Sequence, residues 1–137
     1  MRLDLTHIQR WIEPGSRVLD LGCGNGEFLQ RLAKERQVRG LGLEIDPDKI
    51  TNAVSRGLDI VEQDMDAGLG NFPDQSFDTV VMAHALQAVH YPDRVLEEML
   101  RIGRQGIVNI AGIAVTFAVS VSLAWLGYGY LALAWGH

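Results

Sequence analysis

Val18-Leu19-Asp20-Leu21-Gly22-Cys23-Gly24-Asn25-Gly26 decides the fold of this chain. Arg17 to Leu21 reads as a buried strand, and glycines at alternate positions follow it. Glu27 to Arg36 then carries Phe28, Leu29, Leu32 and Ala33 at helical spacing, so these four are expected to face inward. A strand that turns through glycines into a helix brings its backbone close to a ligand and offers N-terminal N–H groups. The spacing is G-x-G-x-G. A dinucleotide loop of the G-x-G-x-x-G kind needs glycine at 27, where Glu27 stands. A carboxylate in the first helical turn also repels a pyrophosphate. A ligand with positive charge and no phosphate suits this loop better, and Asp20 at the strand end balances such a charge.

The same alternation continues outward. Leu5, Ile8, Trp11 and Ile12 share one face of an opening helix that Glu13-Pro14-Gly15-Ser16 ends. Val38 to Ile45 reads as a second strand, and Pro47 to about Ser55 as a helix with Asp46 as its N-cap. Leu58 to Gln63 is a third strand, Asp64 to Ser76 a loop, and Phe77 to Met82 a fourth strand. Ala85 to Val89 reads as helical. Tyr91-Pro92-Asp93 breaks the chain, and Arg94 to Ile102 is a helix with Val95, Leu96, Met99 and Leu100 inward. Gly106 to Asn109 begins a fifth strand. Strands alternating with helices of this length mean βαβ units and a three-layer parallel sheet.

Ligands in such sheets sit at the carboxyl ends of the strands, which selects the candidates. Glu44 ends the second strand, about 20 residues past the first glycine, where an acid accepts from both hydroxyls of a ribose. Ile45 lies beside it. Asp46 is the competing acid, but its place before Pro47 suits a cap. Asp64 ends the third strand and can accept from an adenine amino group while Met65 covers the ring. Ala83, His84 and Gln87 follow the fourth strand, where His84 is a candidate to orient or deprotonate an acceptor. Together these positions fit S-adenosyl-L-methionine, which carries an ammonium and a sulfonium but no phosphate. Methyl transfer from a sulfonium needs positioning more than acid–base help, so a working site can lack an obvious catalytic side chain. No His, Cys or Asp grouping has metal-ligand spacing.

Lys and Arg number 12 against 17 Asp and Glu, giving a net charge of −5, which argues against nucleic acid as a partner. The one cysteine, Cys23, precludes an intrachain disulfide and fits a reducing compartment such as the cytoplasm. Met1 to Arg10 contains no continuous apolar stretch of the signal-peptide kind.

V-L-D-L-G-C-G-N-G at 18–26 and G-L-E-I-D at 42–46 look like class I methyltransferase motifs. R-G-L-D-I-V-E-Q-D-M-D-A-G-L-G at 56–70, F-P-D-Q-S-F-D-T-V-V at 72–81, L-Q-A-V at 86–89 and P-D-R-V-L-E-E-M-L-R-I-G-R-Q-G-I-V at 92–108 follow in order. With the opening R-L-D-L-T-H-I-Q-R-W-I, they resemble the MetW family of bacterial methionine-biosynthesis proteins. The resemblance implies a Rossmann-like class I methyltransferase fold that binds S-adenosyl-L-methionine, and a role beside a homoserine O-acyltransferase. Carried over residue by residue, it implies Asp20, Gly22, Gly24 and Gly26 for the loop, Glu44 for the ribose and Asp64 for the adenine. It covers about residues 1–108, which sets the expected domain at 1–109.

From Asn109 onward, a polar segment and two closing strands expected of that family are replaced by apolar sequence. No Asp, Glu, Lys or Arg follows Arg104. Three readings of 110–137 stand. Ile110 to Trp135 is long enough for a membrane helix, with Arg101 and Arg104 on the cytoplasmic side and Tyr128, Tyr130 and Trp135 at the far interface. Val115, Phe117, Val119, Val121, Leu123 and Trp125 alternate with small residues, as in a strand added to the sheet. A shifted reading frame would also give an abrupt change, and a sheet truncated after its fifth strand. Three functions follow: a methyltransferase on a small or unknown acceptor, a non-catalytic cofactor-sensing partner of the acyltransferase, or an inactive truncated product.

Overall fold

Alternate residues of the strands feed two separate cores, which fixes a sheet covered on both faces. The computed structural model describes residues 8–83, 85, 88–110 and 113–118. Its elements are β1 (Arg17–Leu21), α1 (Glu27–Arg36), β2 (Arg39–Glu44), α2 (Pro47–Ser55), β3 (Asp59–Glu62), a short 3-10 turn (Met65–Ala67), β4 (Phe77–Met82), α3 (Pro92–Ile102), β5 (Gly103–Ile110) and β6 (Ile113–Ala118). Residues 8–10 are helical and place Ile8 and Ile12 in the core, while Trp11 stays exposed.

The strand order is β3-β2-β1-β4-β5-β6. The first five strands are parallel, and β6 runs antiparallel to β5 with Val108 opposite Val115. Val18, Val81 and Ile107 face Phe28, Leu29 and Leu32 of α1, together with Ile8 and Ile12. Leu19, Leu21, Val80, Met82 and Val108 face Val95, Met99 and Ile102 of α3, with Leu69 and Phe72 from the loop before β4. This is the βαβ architecture expected from the alternation: α1, α2 and α3 each link neighbouring parallel strands, while β3 reaches β4 through a loop with one 3-10 turn.

Local signals explain most boundaries. Asp46 Oδ1 accepts from the Asp48 N–H at 2.9 Å, the cap that its place before Pro47 implied. Pro92 opens α3 rather than standing outside it, because a proline lacks the N–H that the first helical turn leaves unpaired. Ala33 is exposed, not inward: Phe28, Leu29 and Leu32 already fill the face of α1 against the sheet.

The expected membrane helix over 110–135 is not formed at its start, since Ile113–Ala118 is extended and hydrogen-bonded to β5. The strand reading describes this stretch, and it adds an antiparallel strand past the fifth. No helix among the described residues is long and apolar enough to cross a membrane. Residues 119–137, with Tyr128, Tyr130 and Trp135, lie outside the described residues, as do His84 and Gln87.

Candidate functional site

The glycine loop is built by tying its backbone to the end of β2. The N–H groups of Gly22 and Cys23 donate to the Leu43 carbonyl at 2.8 and 3.0 Å. Gly22 has φ 73°, a region that side-chain-bearing residues rarely adopt. A Cβ at Gly22 would also stand 2.6 Å from the Cβ of Ala85, so the turn abuts the segment after β4. Gly24, with φ 61°, instead has nothing within 4 Å of where a Cβ would stand. Its exposed side faces open space along the cleft.

Glu44 completes the loop. Its Oε1 accepts from the Gly24 N–H at 2.8 Å, and its Oε2 accepts from the N–H groups of Ile45 and Asp46 at 3.1 Å each. The carboxylate is thus held in one orientation before any ligand arrives. An ionised carboxylate has about four acceptor sites; three are taken, so about one, on Oε1, remains for ligand donors to share.

Around this acid lies a cleft of about 400 Å³, within the range of about 300–1,000 Å³ usual for small-molecule sites. It opens at the carboxyl ends of β1, β2 and β3. Of the residues singled out from sequence, Gly22, Gly24, Glu44, Ile45, Asp64 and Met65 line it. Asp64 also caps the 3-10 turn, accepting from the Asp66 N–H at 2.9 Å. Ile45 is 56% exposed, an apolar surface left open on the cleft wall.

The remaining candidates sit behind the cleft or apart from it. Asp20 is buried at the strand end, opposite Gly42 of β2 and Val81 of β4. Burial, and secondly the Glu44 carboxylate, push its carboxyl up to about 7. Among the described residues no basic side chain pairs with it. Cys23 is buried against Gly42, and burial with the nearby Asp20 and Glu44 carboxylates pushes its thiol up to about 12. Gly26 packs on Leu58 and Ala53. Ala83 belongs to the core on the α1 side.

Sequence reading missed part of the lining. Asn25, Leu43, Lys49, Gln63, Asp66, Ala85, Ala88 and Val89 complete the wall. Gln63 and Leu43 follow from the strand-end rule applied more widely. Ala85, Ala88 and Val89 have helical i, i+3, i+4 spacing, a signal that was legible but had no partner assigned. Asp66 carried no local signal at all. The described residues hold no grouping of His, Cys, Asp or Glu able to bind a metal ion.

Over residues 2–124 the sequence matches the family described as methionine biosynthesis protein MetW. The chain belongs to the MetW family. The match runs past Asn109 and takes in β6, so the resemblance does not stop where the composition changes. The bifunctional methionine biosynthesis protein MetXA/MetW of Rhodopirellula baltica is 34% identical over 122 residues, which is 83% of this chain and 20% of that protein. Phosphatidylethanolamine N-methyltransferase of Cereibacter sphaeroides is 35% identical over 98 residues, 67% of this chain and 47% of that one. This chain therefore spans less than half the length of these relatives.

Solved structures place the fold among class I Rossmann-like methyltransferases. A methyltransferase in complex with the Haloferax volcanii Trm112 methyltransferase activator superposes with a TM-score of 0.68 at 30% identity, covering 75% of this chain and 49% of that one. The [4+2]-cyclase SpnF superposes with a TM-score of 0.68 at 27% identity, covering 78% and 43%. A cyclase and methyltransferases thus share this MetW-like fold, and the reaction has to be argued from the site.

Proposed function

We propose that this MetW-family chain binds S-adenosyl-L-methionine in the 400 Å³ cleft and acts in methionine biosynthesis. One observation carries the reading. Glu44 stands at the end of β2, fixed by three backbone N–H groups, in the same cleft as the glycine loop and Asp64. A preset acceptor at that place suits a pair of vicinal hydroxyls. The open side of Gly24 leaves room for the ligand to lie against the loop.

Each residue has a task in this reading. Glu44 accepts from the ribose hydroxyls. Ile45 and Met65 flank the adenine, and Asp64 accepts from its amino group. Asp20, when ionised, offsets the positive charge of the amino-acid end. When bound, the cofactor supplies a methyl group on a sulfonium, a leaving group that needs no protonation. The chain's work is then to hold the acceptor in line and keep water out. His84 remains the candidate for orienting an acceptor.

Calorimetric titration of S-adenosyl-L-methionine into the wild type and Glu44→Gln tests the site. Gln keeps one acceptor oxygen but loses the charge, and hydrogen bonds to a charged group are worth about 1.5–3 kcal/mol. Affinity is expected to fall about 10–100-fold. Equal affinity in both proteins sinks the assignment of Glu44, and no binding by folded wild type sinks the cofactor reading.

A second reading has its own support. The Rhodopirellula relative joins MetXA and MetW in one bifunctional protein. This favours a non-catalytic, cofactor-sensing module that works beside a homoserine O-acyltransferase. Association of the two purified proteins, strengthened by S-adenosyl-L-methionine, is the expected result. Labelled-methyl transfer to a cell-extract component, with no such association, favours the enzyme instead.

A further inference from the structure

The turn that carries Met65 and Asp66 is half-buried, with Met65 packed on the α3-side core. Both residues line the cofactor cleft on one side and a second hollow of about 260 Å³, beside Tyr91 and Arg94, on the other. None of Met65–Ala67 is fully buried. That packing anchors Met65, while Ala67 is exposed, so directed polar bonds at Asp66 complete the hold on the turn.

One side chain supplies them across the chain. Asp66 Oδ1 accepts from the His90 N–H at 3.0 Å and the Tyr91 N–H at 3.1 Å. Its Oδ2 accepts from the His90 N–H at 3.0 Å and lies 3.1 Å from His90 Nδ1. These bonds, led by the His90 backbone N–H, hold the Asp66 carboxyl below the usual carboxylate range. His90 directly follows Ala88 and Val89, which line the same cleft. A carboxylate before α3 also complements that helix's dipole, but Asp93 in its first turn serves the same purpose. The dipole alone therefore does not require a bridge between two distant loops.

We propose that Asp66 is a positioning residue of the cofactor site: its carboxylate clasps the His90–Tyr91 backbone and so fixes the gap between Met65 and Val89 that receives the adenosine end of the ligand. This rests on the cofactor reading above, and the test separates the two. The test uses the full chain as wild type, Asp66→Ala and His90→Ala. Hydrogen exchange is measured without ligand. Affinities are measured for S-adenosyl-L-methionine and for 5′-methylthioadenosine, which has the adenosine end but no amino acid.

In Asp66→Ala the amides at His90 and Tyr91 exchange about tenfold faster or more, while those of β1 and β4 keep their protection. Both ligands weaken by the same factor, about tenfold or more. General loosening would instead speed exchange in the central strands. His90→Ala keeps both backbone donors and shifts either affinity by less than about threefold. Should Asp66→Ala not fold, Asp66→Asn replaces it, since Asn keeps one accepting oxygen and is expected to fall between. Unchanged exchange at His90 and Tyr91 overturns the clasp whatever the ligands do. Fast exchange with unchanged affinities overturns the positioning role. Wild type that binds neither ligand overturns the cofactor reading and this role with it, and the exchange data then report on the clasp by themselves.

Discussion

Replacing Asp20 with Asn separates a buried acid from its pH-dependent cost. Asp20 is 3% exposed, and its folded value near 7 lies well above its ordinary value of 3.8. Between those values the unfolded chain has lost the proton while the folded chain keeps it. The folded state binds more protons there, so stability falls as pH rises through this window and levels off above about 7. Each unit of pH in the window costs about 1.4 kcal/mol. From about pH 5.5 to the folded value is about one and a half units, or about 2 kcal/mol.

Asn does not titrate. The stability of the wild type minus that of Asp20→Asn should therefore drop by about 2 kcal/mol between about pH 5.5 and about pH 8.5. Urea unfolding of both proteins at the two pH values measures it. With a slope of about 1–3 kcal/mol per molar, the relative midpoint moves by about 1 M. Taking the difference between two proteins cancels every other titrating group that the substitution leaves alone. A pH-independent difference refutes the burial argument. A difference of opposite sign means that Asp20 is ion-paired in the folded chain. Asp20→Asn should also weaken S-adenosyl-L-methionine more at high pH than at low, since only the ionised acid balances the ligand's charge.

Gly22→Ala should destabilise by about 1–3 kcal/mol, because the new methyl meets Ala85 at 2.6 Å and the backbone there is left-handed; thermal unfolding reads it, and an unchanged midpoint contradicts the packing described. Arg101 donates to the carbonyls of Leu69 and Phe72 and to Asp74 and Glu98, all at 2.7–2.9 Å. Arg101→Met keeps the stem but leaves these acceptors without it, so a loss of about 2–4 kcal/mol is expected in urea unfolding. Cys23, with its thiol near 12, should react with a disulfide reagent at neutral pH about 100-fold more slowly than after unfolding. Comparable rates would place the thiol in a different setting.

The reading from sequence and the structure part company at identifiable places. Strand-turn-helix at 17–36 was legible because alternation, glycine spacing and helical periodicity are all local. Glu44, Asp64 and their neighbours Ile45 and Met65 followed from one rule about strand ends, and all four line the cleft. Pro92 at the start of α3 was misplaced because a proline marks both a break and a first helical turn. For 113–118, hydropathy gave a membrane span and alternation gave a strand; pairing with β5 decided between them.

What the sequence by itself determined is the order of elements, the glycine loop and the acids at the ends of β2 and β3, since each depends on residues a few positions apart. The tertiary structure alone decided the rest. It buried Asp20 and raised its pKa, used Glu44 to hold Gly24 as well as to face the cleft, and brought Asp66 to His90 across 24 residues. These outcomes depend on which distant groups meet and how much water is excluded between them, and neither is encoded in the spacing along the chain.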